Sequence, residues 1–595
     1  MRLAARHSLG ALVGMGMIAI AAGTASAQIT FDGNIFFNNN ATGTLAGQFN
    51  GAPTAAAPAC SVGTTAALLG TLKYPNNLHS DPLLPTARYI PNVLPSFQPD
   101  LGSPAYGSAV TVPGDGFFQQ VCYRGAIGPN ADDDWTEGWT YFDSTGTGRQ
   151  DLHLTGMPDP RPLAVYDNIS IFSNAYFCTD SNYLVRGQLR IKAQAVLSIC
   201  PGTVIFQEKA SIGTIVVERG GRLYAVGTQC APIIITGDAA PGTSTRGQGG
   251  GIVHNGFAKT NVVNSCLGDS SAVEGFAVGV NAAFFGGNND AHCAGALRYV
   301  RVEYAGVELA PNNELNSFVW AGCGTGTKGD YLESYFGADD GFEWFGGSMN
   351  NTHLIAIDGT DDGYDWQLGT RNKAQFVIVR TTGQPAPAST NGQFGERGIE
   401  ADNNEFNNDQ VQCAGRSFCQ IANATFIGDK RTGPNFPGAT QGIELRRGTG
   451  ATILNSIVYN FKTHGLRISD QPTWQAHCLA LGGGIVQNGP TLACPGTVGV
   501  IPITEGNVFV ANSHPNPFRN SVNFTFSLPQ AGPVQVDIFS ADGRHVQTLA
   551  SGHMEAGPHS IAWTIDKATP SGVYFYKVSA ANGLANATGK ITKVN

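Results

Sequence analysis

The feature that most constrains the fold is a short motif that recurs at a fixed interval. The sequence DDGFEW at residues 339–344 returns as DDGYDW at residues 361–366, which is 22 residues later. Weaker copies begin at Gly398, Gly442 and Gly465, and a second short apolar segment follows each copy. These segments lack helical periodicity and leave no room for crossover helices. The repeat therefore predicts an all-β chain folded as a right-handed parallel β-helix.

Adjacent coils of such a solenoid place equivalent residues above one another, because parallel strands lie about 4.8 Å apart. We therefore expect Tyr364 to lie over Phe342, and Trp366 over Trp344. The glycines of the motif should form a ladder at one corner, where glycine adopts a positive φ at little cost. These glycines are Gly341, Gly363, Gly398, Gly442 and Gly465.

The composition agrees with short strands joined by turns. Charged residues make up 13% of the chain, against about 25% in a typical soluble domain. Glycine contributes 77 of 595 residues, which disfavours long helices and coiled coils. The hydrophobic content of 42% disfavours a disordered chain. The net charge of −9 provides no basic surface, so we expect no nucleic-acid partner.

The N-terminus has the pattern of a secretory signal peptide at residues 1–27. Arg2 and Arg6 precede an apolar stretch at residues 9–22, and Ala25-Ser26-Ala27 is a small-residue cleavage site. The apolar stretch is shorter than the roughly 20 residues that a transmembrane helix needs. No other stretch is long and apolar enough to span a bilayer, so we expect no transmembrane segment.

The chain contains twelve cysteines and no Cys-x-x-Cys motif. An even number in an exported protein favours disulfides over a zinc site. The short separations suggest a Cys413–Cys419 bond and a Cys478–Cys494 bond. The full connectivity stays open, because it depends on Cα distances that a sequence does not show.

The last 85 residues change in character and predict a small antiparallel sandwich of six or seven strands. Residues 522–526 and 534–538 alternate between apolar and polar side chains, and Asp542-Gly543 is typical of a tight hairpin turn. Five motifs in this order resemble the C-terminal sorting domain of type IX secretion cargo: residues 514–518, 543–544, 556–559, 570–575 and 589–594. The resemblance implies an Ig-like fold, handling by the type IX secretion machinery, and delivery to the outer-membrane surface or the extracellular space. The alternative is an adhesive Ig-like module without a sorting role.

The middle of the chain resembles a broad family of secreted bacterial β-helix proteins. The resemblance covers roughly residues 115–510 and depends on residues 135–139, 201–205 and 339–350. It implies the fold but no particular reaction. The predicted organisation is a signal peptide at 1–27, an irregular N-terminal cap region at 28–182, the β-helix at 183–505 and the sorting domain at 512–595. Within the cap region, residues 28–114 should cover the first coil, whose sheet edge would otherwise be exposed.

The two best copies of the motif concentrate carboxylates on neighbouring coils. If the aromatic residues face the core, the carboxylates line the outer face about 5 Å apart, where they repel unless a cation or proton intervenes. All-oxygen ligands in an exported protein favour Ca²⁺. The predicted ligands are Asp339, Asp340, Glu343, Asp361, Asp362 and Asp365. Glu400 and Glu444 would extend the row, Arg467 reverses its sign, and Arg446 or Arg447 would neutralise its end. The alternative is a solvated acidic edge without metal.

The sequence contains no established catalytic motif, so binding is favoured over catalysis. The first hypothesis is a non-enzymatic surface or released protein that binds a polysaccharide or a neighbouring surface. The second is a polysaccharide lyase or glycoside hydrolase, with a basic group from Arg371, Lys373, Arg397 or Arg467. A third is a purely structural envelope protein. Five tryptophans are candidate sugar platforms, although core packing is favoured for most of them: Trp135, Trp139, Trp320, Trp344 and Trp366.

Overall fold

The computed structural model divides into two units. The first contains residues 1–106 and 123–488, and the second contains residues 107–122 and 489–595. The structure describes residues 29–39, 49–51, 77–84, 86–87, 95–107, 109–143, 161–240, 243–264, 271–273, 276, 284–310, 313–383, 395–408, 412–431, 441–470, 473, 511–514, 516, 518–528, 531–540, 544–555, 557–565, 569–580 and 585–594. The predicted signal peptide lies outside these residues.

The described residues of the first unit form 31 strands. They are β1 (Ile29–Asp32), β2 (Ile35–Phe37), β3 (Phe49–Gly51), β4 (Leu163–Asp167), β5 (Ser170–Ile171), β6 (Ala175–Phe177), β7 (Asn182–Arg186), β8 (Gln188–Ile191), β9 (Val196–Ile199), β10 (Val204–Gln207), β11 (Thr214–Val217), β12 (Arg222–Val226), β13 (Ile233–Gly237), β14 (Ile252–Asn255), β15 (Ser271–Ala272), β16 (Phe284–Phe285), β17 (Gly295–Glu303), β18 (Val307–Ala310), β19 (Asn313–Leu315), β20 (Phe318–Ala321), β21 (Lys328–Tyr335), β22 (Phe342–Phe345), β23 (Asn350–Ile357), β24 (Tyr364–Gln367), β25 (Lys373–Arg380), β26 (Arg397–Ala401), β27 (Phe418–Ile427), β28 (Gln441–Leu445), β29 (Gly450–Leu454), β30 (Ile457–Tyr459) and β31 (His464–Ile468). Short 3₁₀ helices cover Ala131–Asp133 and Lys209–Ser211.

All of these strands except β15, β16, β18 and β19 stack in three parallel columns. The four exceptions form two antiparallel pairs, β15 with β16 and β18 with β19. Column one is β5, β8, β11, β14, β20, β22, β24, β26, β28, β31 and β3. Column two is β6, β9, β12, the first parts of β17, β21, β23, β25 and β27, then β29 and β1. Column three is β4, β7, β10, β13, the last parts of the same long strands, then β30 and β2. Because the chain visits the columns in turn and pairs in parallel with the previous coil, it forms a parallel β-helix.

Aromatic side chains fill the core behind column one. Phe342 pairs with Tyr364 and Trp344 with Trp366 in parallel register, which confirms the pairing expected from the 22-residue interval. All four side chains are at most 1% exposed, and the rings of Trp344 and Tyr364 stack with centroids 4.3 Å apart. Full burial of large rings makes this stack a main stabilising contact of the solenoid.

A left-handed residue bends each long strand between columns two and three. Tyr299, Tyr331, His353 and Phe376 all have φ between 49° and 59°. In an extended strand neighbouring side chains alternate, but the left-handed residue breaks that alternation. Arg298 and Tyr299 therefore both lie outside the core, while Leu297 and Val300 belong to it. The bends in β17, β21 and β23 place the partly exposed rings of Tyr299, Tyr331 and His353 outside the core. Phe376 is buried at the bend in β25, and β27 bends at Asn423.

The glycine ladder forms, but the expected positive φ is wrong. None of the five glycines that begin at Gly341 has a positive φ. A Cβ added to Gly363 would lie 2.1 Å from Cγ1 of Val379, and one added to Gly442 would lie 2.4 Å from Cγ1 of Val458. Glycine is needed there because column-three side chains approach the backbone of column one too closely for any side chain.

The N-terminal segment lies on the last coil instead of covering the first. β1 pairs with β29, β2 with β30 and β3 with β31, always in parallel. Ile29, Phe31 and Ile35 are at most 1% exposed. The expectation that residues 28–114 form an irregular cap over the first coil is therefore wrong for β1, β2 and β3, which extend the solenoid at the opposite end. The solenoid strands also begin at Leu163, ahead of residue 183.

The second unit contains two antiparallel sheets. Its strands are β32 (Ala511–His514), β33 (Ser521–Leu528), β34 (Gly532–Ser540), β35 (His545–Met554), β36 (Gly557–Thr564), β37 (Gly572–Ala580) and β38 (Ala585–Lys593). The sheets have strand orders β32-β33-β36 and β35-β34-β37-β38. Phe524, Val536, Trp563 and Val578 contribute to one buried cluster. The predicted small antiparallel sandwich agrees with this arrangement, whereas its Ig-like subtype stays a prediction.

One disulfide joins Cys178 and Cys200, which end neighbouring strands of column two. The predicted Cys413–Cys419 bond is wrong, because Cys419 is a buried free thiol while Cys413 belongs to another disulfide. Short sequence separation misled the prediction, since β27 carries Cys419 into the core. The predicted Cys478–Cys494 bond lies outside the described residues. Within the described part of the chain, no helix has the length and apolarity required to cross a membrane.

Candidate functional site

A row of charged residues runs along the outer face of column one. Glu343, Asp365, Glu400 and Glu444 follow one another in register on β22, β24, β26 and β28, and Arg467 continues the row on β31. We call the four carboxylates the acidic row. Their strand neighbours point into the core, so alternation places the carboxylates outside it. The predicted extension by Glu400 and Glu444, and the change of sign at Arg467, are confirmed.

The acidic row is buried by polar neighbours. Glu343 is 2% exposed, Asp365 7% and Glu444 3%. Asn316 Nδ2 donates to Glu343 Oε2, and Gln367 Nε2 donates to Glu343 Oε1 at 3.1 Å. The solvation assumed by the alternative of an acidic edge without metal is therefore wrong, whereas the presence of a metal stays a prediction. Sequence alternation shows which face a side chain takes, but it does not show what covers that face.

Two groups of carboxylate oxygens converge at the start of the row. Asp340, Glu343 and Asp365 each offer one oxygen, and these oxygens lie within 4.8 Å of one another. Asp339, Asp340 and Asp361 form a second group of the same size, so Asp340 belongs to both. Oδ1 of Asp361 and Oδ1 of Asp365 are buried without a hydrogen-bond partner among the described residues. Five of the six predicted metal ligands are thus brought together.

The sixth predicted ligand, Asp362, lies beside an arginine instead. Arg397 Nη1 is 3.3 Å from Asp362 Oδ2 and 2.7 Å from Glu400 Oε1, while its Nε is 2.5 Å from Glu444 Oε2. Arg446 Nη2 also contacts Glu400. The far half of the acidic row is therefore compensated by arginines. Neutralisation by Arg446 agrees with the sequence prediction, whereas the neutralising role of Arg397 was missed.

Burial makes the ionised form of these carboxylates costly. The pKa of Asp340 and that of Asp365 are raised well above the usual value, by burial first and then by neighbouring carboxylates. Burial and nearby acids likewise raise the pKa of Asp361 to about 7, and the pKa values of Asp362 and Glu400 to about 8. A proton or a bound cation would relieve the same repulsion.

A second polar surface lies on the outer face of column two and was missed by the sequence analysis. We call it the polar face, and it consists of Arg298, Lys328, Asp330, Asn350 and Thr352, aligned on three coils. Arg298 Nε is 3.2 Å from Asp330 Oδ2, and the Arg298 side chain is 51% exposed. Thr352 Oγ1 donates to Asp330 Oδ1 at 2.7 Å. Lys328 is exposed, so the surface offers hydrogen-bonding groups of both kinds to solvent.

The stacked rings of the bends border the polar face. Tyr299 and Tyr331 stack with centroids 4.3 Å apart, and Tyr331 and His353 stack at 4.1 Å. The Arg298 guanidinium lies 5.3 Å from the Tyr299 ring centroid, and His353 Nδ1 is 2.8 Å from Asp330 Oδ1. The signal in the sequence is a polar residue followed by an aromatic one at the same position of successive coils.

The tryptophans take mainly structural positions. Trp139, Trp320, Trp344 and Trp366 are at most 1% exposed, which confirms core packing over a role as sugar platforms. Trp135 is half-buried, and its ring meets that of His353 edge-on at 4.9 Å. Only Trp135 among these five therefore adjoins the polar face with part of its ring accessible.

The three parallel columns define the class of parallel β-helix domains. Residues 170–482, more than half of the chain, match the family described as "Pectate-lyase like beta helix domain". The chain belongs to this family. No protein with curated annotation matches the chain.

The second unit has its own family match. Residues 512–593 match the family described as "Secretion system C-terminal sorting domain". This domain directs its chain through the type IX secretion machinery to the cell surface or the extracellular space. The protein is therefore an exported β-helix protein, as the resemblance implied.

Proposed function

We propose that the exported β-helix binds a polysaccharide without cleaving it. The observation that carries this proposal is a difference in exposure: the acidic row is buried, whereas the polar face presents the half-exposed side chain of Arg298 to solvent. The carboxylates that would act as acid, base or nucleophile are at most 8% exposed in the acidic row. Glycoside hydrolysis requires two carboxyl groups that flank the scissile bond, and buried groups cannot reach a sugar chain.

Two of the four basic groups that a lyase could use, Arg397 and Arg467, are held in ion pairs. Arg397 contacts three carboxylates besides its neighbour Glu396, and its side chain is only 13% exposed. Arg467 Nη1 is 3.4 Å from Glu444 Oε1. An arginine held by several carboxylates stays protonated, so it is a poor base.

The polar face has the features of a saccharide-binding surface. Its groups repeat about every 4.8 Å along the solenoid, which is close to the length of one sugar residue in an extended chain. The guanidinium of Arg298 and the hydroxyl of Thr352 supply donors, and Asp330 supplies acceptors. Trp135, which is half-buried and meets His353 edge-on, supplies apolar ring surface at the border, which suits the C–H faces of a sugar.

We further propose that the start of the acidic row binds Ca²⁺ as a stabilising ion. Asp340 would contribute to both oxygen groups, with Glu343 and Asp365 completing one and Asp339 and Asp361 the other. Ca²⁺ takes six to eight oxygen ligands in flexible geometry, so it tolerates an irregular set of carboxylates. The unpaired Oδ1 of Asp365 supports a role as ligand.

A polysaccharide lyase or glycoside hydrolase is the second candidate. The description of the matched family and the paired oxygen groups favour it. In that case Ca²⁺ would neutralise a substrate carboxylate at the acidic row, and loss of Asp365 would abolish turnover.

Binding to immobilised acidic and neutral polysaccharides tests the proposal. Arg298→Ala should weaken retention of the protein at least tenfold, because it removes the half-exposed guanidinium of the polar face. Arg186→Ala is the matched control, since Arg186 forms a similarly exposed ion pair with Glu208 at 2.7 Å on column three. Equal retention of the two variants, or no retention of the wild type on any glycan, would contradict the proposal.

A further inference from the structure

The edge of the solenoid formed by β29, β30 and β31 is covered by a segment more than 400 residues earlier in the chain. β1, β2 and β3 follow the same column order as β29, β30 and β31, so they continue the solenoid by one coil in the same direction. The N-terminal segment thus takes the place of the next coil.

The contacts of this segment are those of the solenoid interior. Ile29, Phe31 and Phe36 are at most 2% exposed and belong to the same core as the aromatic stack. Ile35 is fully buried in the neighbouring core under column three. Burial of this extent is typical of a structural element and not of a loosely attached terminus.

Two asparagine side chains join the segment to the last coil by hydrogen bonds, Asn34 between β1 and β2 and Asn39 after β2. Asn34 Nδ2 donates to the carbonyl of Ile453 at 3.0 Å, and Asn34 Oδ1 accepts from the amide of Ser456 at 2.8 Å. Asn39 repeats this arrangement with the carbonyl of Val458 at 2.9 Å and the amide of Phe461 at 3.0 Å. Backbone groups of the edge that would otherwise be unpaired are satisfied in this way.

We propose that β1, β2 and β3 form a clasp that closes the solenoid as its last folding step, and that β29–β31 form a strand-accepting edge for these three strands. The clasp is synthesised more than 400 residues ahead of β29–β31, but its binding surface exists only after residues 450–468 have formed their coil. The clasp can therefore bind only when the last coil of the β-helix has folded. Long-range pairing of this kind is late in folding, because the loop-closure entropy must be overcome before the contacts form.

The test uses the full-length mature chain with a protease recognition sequence inserted between residues 52 and 76. After cleavage is complete by mass spectrometry, the fragment that contains residues 28–51 should stay bound through size-exclusion chromatography. The fragment should dissociate at a denaturant concentration lower than the one that unfolds the remaining coils. A labelled synthetic peptide of residues 28–51 should then bind in its place. Elution of the wild-type fragment as a free peptide in native buffer would overturn the proposal.

Variants separate a specific clasp from a general loss of stability. Phe31→Ser with Phe36→Ser should release the cleaved fragment at least tenfold faster and speed amide hydrogen exchange in residues 450–468, with little change in β22–β25. Phe172→Ser is the matched control, since Phe172 is 75% exposed at the first coil and its loss should alter neither measurement. Equal exchange in residues 450–468 with and without the bound fragment would also overturn the proposal.

Discussion

Asp365 illustrates how strand register creates an electrostatic cost. The register places its carboxyl next to those of Glu343 and Glu400, and the surrounding side chains exclude water. Two ionised carboxylates at this distance repel strongly in a site of low polarity. Arginines relieve the repulsion at Glu400, whereas Oδ1 of Asp365 has no hydrogen-bond partner among the described residues. A cation beside Asp365 would offset this cost.

Removal of two charges tests the Ca²⁺ proposal. Wild-type protein should melt at a higher temperature with Ca²⁺ than with a chelator. At a Ca²⁺ concentration one hundred times Kd, binding should raise the free energy of unfolding by about 2.7 kcal/mol. Glu343→Gln with Asp365→Asn should lose this shift and, in chelator, be as stable as the wild type or more so. Glu208→Gln with Asp290→Asn is the control, because these carboxylates pair with basic residues elsewhere. A missing Ca²⁺ shift in the wild type would contradict the proposal.

Glu333 should make stability depend on pH. Burial raises its pKa from 4.5 to about 8, although Arg301 and the amide of Tyr141 oppose the shift. Between these two values the folded state keeps a proton that the unfolded state releases, so the free energy of unfolding falls as pH rises. Chemical denaturation of Glu333→Gln in chelator should show a smaller fall over that window than the wild type. The same slope in both proteins would contradict this assignment.

Much of the residue-scale pattern could be predicted from the sequence, because alternation assigns each side chain to a face. The carboxylates of Glu343 and Asp365 lie on the face expected. Their burial could not be predicted, since Asn316 covers Glu343 from another coil and belongs to no recognisable motif. The polar face was missed because the left-handed bends break the period-two pattern at Tyr299 and Tyr331.

At the scale of the element, close approach of neighbouring columns explains the glycine ladder. Gly363→Ala should lower the free energy of unfolding by about 1–3 kcal/mol, because the added methyl group would overlap Val379 in a packed interior. Gly114→Ala is the control, since a Cβ there meets no atom within 4 Å. Denaturant titration measures both. A change below about 0.5 kcal/mol for Gly363→Ala, within the range of ordinary surface substitutions, would contradict the packing argument.

At the scale of the whole molecule, the repeat predicted the parallel solenoid but not how it ends. The interval between apolar segments and the spacing of turns are local properties of the sequence, and they are sufficient to identify the individual coils. The position of β1, β2 and β3 depends on pairing with residues 450–468, a contact that no local pattern encodes. The Cys413 disulfide was assigned wrongly for the same reason.

Export should depend on the second unit. Deletion of residues 512–595 should leave the β-helix in the periplasm, because the matched sorting domain supplies recognition by the type IX secretion machinery. Cell fractionation with an antibody against the β-helix measures the distribution. The full-length Arg298→Ala variant should reach the surface normally and serves as the control. Surface appearance of the truncated chain would contradict this role of the tail.

The most direct test of binding without cleavage follows the polysaccharide itself. Full-length protein is incubated with a soluble acidic polysaccharide in Ca²⁺, and light scattering after size-exclusion chromatography measures both the bound fraction and the polymer length. We predict a bound fraction that Arg298→Ala reduces, with the polymer length unchanged. Progressive shortening of the polymer that Asp365→Asn abolishes would contradict the proposal and establish the acidic row as a catalytic site.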